Sequence, residues 1–254
     1  MTKEATLRAI LEPGAAPPEG WQHYLPPSGW DPRRILLGQP RAYALVHDLI
    51  TPTVGVHAWR RELPDPSTHV VVNLGCGYRP LHPDMINVDL VSAPHVDIPA
   101  DLSRPLPIRS GSCDAVLSIA VVEHLRDPAF LVAEAARILK PGGLCYLAAP
   151  FFYPFHAAPD DFTRWTQPGL EGLLGPAFER VSSGPRGGGA GVFILLASHL
   201  AGQLLCFGSL RVYGAVTTLV MALLSPLKLL DLAFNRLPFA DRLCPNFWVT
   251  GRKR

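Results

Sequence analysis

The stretch "VVNLGCGYRPLHPDMINVDL", residues 71–90, decides the fold. It runs from an apolar, β-branched segment into Gly75-Cys76-Gly77 and arrives at Asp89-Leu90 through a second apolar segment. A strand that stops at Gly-x-Gly turns sharply and carries no Cβ at the bend, so a ligand can lie against the backbone at the carboxyl edge of a parallel sheet. The dinucleotide fingerprint needs a third glycine, where helix packs on strand; here Arg79 and Pro80 stand in that place. A nicotinamide cofactor is therefore the weaker choice, and a Rossmann dehydrogenase ranks third among the readings. Asp89, closing the second strand, can accept both hydroxyls of a ribose.

Outward from this stretch, short apolar runs alternate with helical patterns, the mark of βαβ units around a mostly parallel sheet. "HVVVNL" and "MINVDL" are the first two strands, a short third precedes Asp101, and "CDAVLSIAV" and "LCYLAAP" follow. Between the last two, Asp127 caps a helix with Pro128 at its first position; Leu131, Ala135 and Ile138 share its apolar face, and "LKPGG" stops it. "TQPGLEGLLGPAF" predicts a short helix, "ERVSSG" a sixth strand and "NFWVTGRKR" the last. Asp101 and Leu102, in the loop after the third strand, offer a carboxylate and an apolar side chain suited to an adenine's amine and flat face.

In order and spacing, "VNLGCG", "INVDL", "ADLSRPLPIRSGSCDAV", "VVEHLRDP" and "ARILKPGGLCYLAAP" resemble the class I S-adenosylmethionine-dependent methyltransferases, of the type 11-like kind. The resemblance covers about Val71 to Pro150 closely. It implies an α/β, Rossmann-like, doubly wound sheet with an antiparallel C-terminal strand. It also implies S-adenosyl-L-methionine as cofactor, held by Gly75, Cys76 and Gly77 at its methionine end, by Asp89 and Leu90 at the ribose, by Asp101 and Leu102 at the adenine, and by Ser118 at the pocket mouth. The acidic residue often found two before the first glycine is Asn73 here, which hydrogen-bonds but cannot offset a positive charge.

Methyl transfer from a sulfonium is a direct displacement, so the acceptor must be held in line with the S-methyl bond, and a hydroxyl acceptor gains from a general base. Two histidines follow strands at the ligand-binding edge: His124 in "VVEHLRDP" and His156 in "FFYPFHAAPDDFTRWT". The second phrase resembles a segment of glycan- and cell-envelope-associated methyltransferases. His156 is taken as the base, with Asp161 orienting it or binding substrate. The competing reading makes His156 a loop cap and Asp161–Arg164 a structural ion pair. Glu123 and His124 read as the start of a helix, and with no third ligand spaced for them no metal is expected. Cys76 packs as a small residue near the cofactor.

The rest of the chain frames this unit. Residues 1–68 are rich in proline and tryptophan, as in "PPEGWQHYLPPSGWDP", and read as an ordered arm on a larger body or a partly disordered tail, the aromatics favouring the arm, with one helix near "PRAYALVHDLI". Residues 69–186 and 240–254 form the α/β domain. Residues 187–239 are an apolar helical insertion, nearly free of charge until Arg211 and again until Lys228. It could span a membrane as a hairpin, lie in the interface, or cover the pocket as a soluble lid. Pro226 in the second half and the Lys228, Asp231 and Arg236 charges beside leucines favour the interface.

A net charge of +2 with scattered basic residues gives no stripe for nucleic acid, and none is expected as partner. Charged residues make up 17%, below the ~25% of ordinary globular chains, so part of the surface should meet something other than water. Five cysteines far apart suit a reducing, cytoplasmic setting, peripheral at the inner membrane face. The expected partner is a small-molecule or lipid-linked acceptor. The rival from another class is a membrane-associated scaffold that keeps the fold without turnover.

Overall fold

A computed structural model describes residues 2–13, 40–53, 58–78, 80–90, 93–157 and 160–254, with residues 40–44 described in backbone alone. The Pro/Trp-rich stretch between residues 14 and 39 lies outside them, as does Arg79. The sheet has seven strands: β1 Val71–Leu74, β2 Ile86–Asp89, β3 Ile98–Pro99, β4 Cys113–Ile119, β5 Leu139–Pro150, β6 Phe178–Arg186 and β7 Asn246–Lys253. Their order is β3-β2-β1-β4-β5-β7-β6. β7 runs antiparallel between β5 and β6, while the pairings from β3 through β5 are parallel. The doubly wound sheet with one reversed C-terminal strand is the one anticipated from the motifs.

The strand pleat sends alternate residues to opposite faces, and both faces are covered. Val72, Leu74, Ile86, Val88, Val116 and Leu147 join one core. Val71, Met85, Ala115, Leu117, Tyr146 and Ala148 join the other. Each core recruits a piece of the N-terminal region. Helix α1 (Lys3–Ile10), capped by the Thr2 hydroxyl, buries Ile10 in the first and bridges Leu11 to Ile108. Helix α2 (Pro40–Ile50) follows, and then α3 (Trp59–Glu62) buries Trp59 in the second core. Truncating a buried tryptophan of this kind costs about 3–5 kcal/mol. Ile10 and Trp59 thereby tie two described N-terminal segments to the two faces of the sheet.

Helix α4 (Pro128–Ile138) starts where Asp127 accepts the Phe130 amide, with Pro128 in its first turn, and buries Leu131, Ala135 and Ile138 as its periodicity predicts. Helix α5 (Gln167–Leu174) is capped by Thr166. The insertion leaves at the end of β6 and returns at the start of β7, and its two ends are register partners, Arg186 beside Asn246. Within it α6 (Gly189–Leu205) and α7 (Leu210–Leu224) form a hairpin, continued by 3-10 turns and α8 (Asp231–Phe234). A Cβ at Gly202 would lie 2.2 Å from Thr217 Oγ1, so the two helices approach as closely as glycine allows. Buried Asp231 closes the loop, accepting the Ala190 and Gly191 amides that open α6 at 2.8 and 3.0 Å.

Candidate active site

At the end of β1 the chain turns through Gly75 (φ +76°) and Gly77 (φ +55°), a left-handed geometry that glycine adopts without strain. The two glycines differ in what they face. A Cβ on Gly75 would lie 2.2 Å from Val121 Cγ2, whereas a Cβ on Gly77 would meet nothing within 4 Å. Gly75 therefore serves packing against the exit of β4, and Gly77 borders open space where a ligand can approach.

Asp89 ends β2 and accepts the Gly77 amide at 2.6 Å, tying turn and carboxylate into one unit. Leu90 beside it is exposed. His95 Nε2 lies 2.8 Å from the Gly77 carbonyl, and its Nδ1 is buried without a hydrogen-bond partner. Asn73, in register with Asn87, donates to the Asn87 side chain across the strand pair at 3.2 Å, so its amide serves the sheet. The Ser118 hydroxyl, on β4 opposite Leu74, is buried and lacks a partner, a polar group that a ligand in the cleft could satisfy. Cys76 is buried, and burial beside Asp89 raises its thiol pKa far above the ordinary value, which suits packing and not nucleophilic attack.

Asp101 and Leu102 sit in the loop after β3. Asp101 Oδ1 accepts the Ser103 amide and hydroxyl at 2.9 and 2.6 Å, and Oδ2 lies 3.3 Å from Arg104, so the carboxylate shapes its own turn. Leu102 is 9% exposed and belongs to the first core.

The exits of β4 and β5 meet beside the glycine turn. β4 ends at Ile119, two residues short of the expected "CDAVLSIAV", Ala120 takes a left-handed φ of 55°, and a 3-10 turn over Val122–His124 follows. Strain of this kind persists where neighbours over-determine it: Ala120 is tied to Ala148 of β5, and the Phe162 amide is bound to the Glu123 carbonyl. Glu123 is fully buried, and neither carboxylate oxygen has a hydrogen-bond partner. Its Oε1 stands 3.7 Å from His124 Nε2 and 3.6 Å from His156 Nε2. The expectation that no third side chain joins Glu123 and His124 is corrected here. His156 arrives from the exit of the adjacent strand, a proximity that spacing within one motif cannot reveal.

Asp161 grips this loop from behind. It pairs bidentately with Arg164 at 2.5 and 2.6 Å, accepts the His156 amide at 2.8 Å and lies 3.3 Å from His156 Nδ1. Burial would raise its pKa, but Arg164 and the His156 amide prevail and lower it to about 2. Arg164 also donates to the Tyr153, Pro154 and Thr163 carbonyls. The Asp161 carboxylate thus ties the backbone of His156 to the Arg164 guanidinium.

A family profile described as "Methyltransferase domain" matches residues 81–147, from just after the glycine turn into β5. A probable S-adenosylmethionine-dependent methyltransferase of Mycolicibacterium smegmatis is 40% identical over 57 residues, 22% of each chain. A ubiquinone biosynthesis O-methyltransferase of Caulobacter vibrioides is 38% identical over 50 residues, 20% of each. The solved structure of Haemonchus contortus phosphoethanolamine N-methyltransferase 2 superposes with a TM-score of 0.50 at 14% identity, over 87% of this chain and 60% of that one, a likeness of fold. With the strand order above, the α/β unit has the fold of that methyltransferase, and residues 81–147 match the methyltransferase-domain profile. The chain spans about a fifth of the length of these two curated relatives.

Proposed function

We propose that this protein is an S-adenosylmethionine-dependent methyltransferase acting on an oxygen or nitrogen of a small-molecule acceptor. The observation that carries the reading is the cradle itself: Gly77 open on its Cβ side, its amide fixed by Asp89, and the orphan Ser118 hydroxyl on the neighbouring strand. The cofactor supplies a methyl group on a positively charged sulfur. The chain's own part is to grip the ribose through Asp89, exclude water and hold the acceptor in line at the β4 and β5 exits. His156, oriented by Asp161, is the residue offered to the acceptor's proton.

The acceptor is best read as lipid-linked or otherwise apolar, a glycan carrier among the options, reached from the cytoplasmic side of a membrane. Support comes from two exposed stripes at helical spacing: Phe193, Leu196, Leu200 and Leu204 on α6, and Leu219, Leu223, Leu227 and Leu230 along the run after it. The helical run Leu210–Phe234 is long and apolar enough to cross a bilayer, with a mean hydropathy of 1.6. A single crossing would part β7 from the sheet in which it lies between β5 and β6. Contact along the interface leaves the sheet whole.

Calorimetry with S-adenosylmethionine and S-adenosylhomocysteine tests the enzyme reading. Micromolar binding of both is expected, and an intact protein that binds neither overturns it. Incubating extracts with isotope-labelled methyl donor then separates enzyme from scaffold, since binding without any labelled product would make the protein a scaffold. Flotation with anionic liposomes tests the surface: protein left at the bottom of the gradient removes the membrane.

A further inference from the structure

We propose that Glu123, His124 and His156 bind a divalent transition-metal ion of the zinc class. Their ligand atoms all lie within 4.8 Å of one another. The two histidine–carboxylate separations, 3.6 and 3.7 Å, are too long for hydrogen bonds. They are close to the spacing of ligands on one ion, since two atoms about 2.0–2.2 Å from zinc at a tetrahedral angle stand about 3.3–3.6 Å apart.

The protonation pattern points the same way. His124 Nδ1 lies 2.6 Å from the Asp160 carbonyl, and His156 Nδ1 lies 3.1 Å from the Pro154 carbonyl. A carbonyl oxygen only accepts, and at His156 it stands nearer than the donor-only Arg164 Nη2 at 3.5 Å, so each Nδ1 carries a hydrogen and each Nε2 of a neutral ring presents a lone pair. Both lone pairs face Glu123. Two lone pairs and a carboxylate with no donor between them repel one another, and a cation at their centre satisfies all three. Outer-sphere oxygens that fix the ring and its tautomer are what ligating histidines have.

Glu123 supplies the independent observation. A fully buried carboxylate with no hydrogen-bond partner on either oxygen is costly, by several kcal/mol if ionised. The nearby cation, Arg164, is committed to Asp161 and three carbonyls, with a longer 3.5 Å approach to His156 Nδ1, and makes no hydrogen bond to Glu123. Two imidazoles and one carboxylate suit zinc better than magnesium, which prefers oxygen ligands. The side chains of His124 and His156 are 14% and 32% exposed, which leaves a path for ion and outside ligand. Three protein ligands keep a coordination position for an outside oxygen, that of the acceptor. In that role, which rests on the methyltransferase reading, the ion would hold and orient the acceptor's oxygen; metal binding itself does not depend on that reading.

The test is a titration of the full chain, stripped by chelator, with Zn2+ against a chromogenic competitor, and with Co2+ followed by its visible spectrum. One equivalent per chain is expected. Glu123→Gln and His156→Ala should each weaken binding at least a hundredfold, more than loss of an outer-sphere partner does, and abolish the Co2+ band. His69→Ala, at an exposed site elsewhere, should change neither. If His156→Ala does not fold, His156→Gln takes its place. Substoichiometric uptake by the wild type, or an E123Q variant that binds like it, overturns the site. Calorimetry with S-adenosylmethionine on the same samples keeps the two readings apart: zinc bound without the cofactor would remove the methyltransferase function and leave the metal.

Discussion

Gly75 and Val121 leave no room for a carbon between them: a Cβ on Gly75 would stand 2.2 Å from Val121 Cγ2. The β1 turn and the β4 exit are thereby locked side by side, bringing the proposed cofactor cradle to within two residues of Glu123. Gly75→Ala meets both the clash and a φ of +76°. Left-handed strain of about 1–2 kcal/mol and overpacking of about 1–3 kcal/mol predict a combined loss of about 2–5 kcal/mol. Urea denaturation measures it. Adding Val121→Ala should recover the packing part alone, and a double variant no better than Gly75→Ala would show that the contact is not the cause.

Gly77 sits in a similar backbone conformation but borders open space, which predicts the opposite balance. Gly77→Ala should cost only about 1–2 kcal/mol of stability, while S-adenosylmethionine affinity falls at least tenfold because the methyl group occupies the cradle. Equal affinity in calorimetry would place the cofactor elsewhere.

Asp89 links that turn to the ribose position. Asp89→Asn keeps an oxygen for the Gly77 amide, 2.6 Å away, and loses the charge. A charge-assisted hydrogen bond is worth about 1.5–3 kcal/mol, so cofactor binding should weaken roughly 10- to 100-fold, and further for Asp89→Ala. Circular dichroism should show the fold unchanged. Binding unaffected in both variants would remove Asp89 from the site.

These features were legible because their causes are local. A glycine turn, a strand-ending aspartate, the Asp127 cap and the apolar period of α4 each express chemistry within a few neighbouring residues. The trio of Glu123, His124 and His156 was not legible, because it exists only where two strand exits adjoin in the sheet. "VVEHLRDP" and "FFYPFHAAPDDFTRWT" each show half of it. Topology was the missing signal, since β4 and β5 are neighbours and both motifs follow them. The arm was half legible: its aromatics foretold packing, but not that Trp59 would seal one face of the sheet while Ile10 seals the other.

Glu134 gives a prediction for pH. Its side chain, 11% exposed, accepts the Leu106 amide and two Arg137 nitrogens, each at 2.8 Å, and Arg137 donates onward to the Leu106 and Ile108 carbonyls. Burial alone would raise the Glu134 pKa, but Arg137 and the Leu106 amide outweigh it and hold it below the usual 4.5. A carboxyl depressed in the folded state stabilises fully above its unfolded pKa, and that contribution fades as pH falls through the folded value. Glu134→Gln should therefore cost about 1–2 kcal/mol at pH 7, discounted for the partly exposed partner. The gap from wild type should shrink as pH falls below 4.5 and close once the folded carboxyl is protonated. A gap that stays constant from pH 7 to pH 3 in urea melts would show that charge is not what Glu134 contributes.

Lys228 fastens the insertion to the arm. Its ammonium donates to the carbonyls of Asp48, Leu49 and Thr51 at 2.7, 2.9 and 3.1 Å, the unsatisfied end of α2 where the helix dipole is negative. Burial lowers its pKa and Asp48 pulls it partly back, yet three acceptors favour the charged form. Lys228→Met keeps the apolar stem and removes the charge and all three donors. It should cost about 1–2 kcal/mol and speed amide hydrogen exchange across residues 45–53, leaving β1, β4 and β5 protected as before. If the membrane surface acts through the insertion, liposome binding should still occur, because Lys228 grips α2 while the leucine stripes face outward. Unchanged exchange across residues 45–53 would mean that α2 is held by its packing beside α7 and not by this clasp.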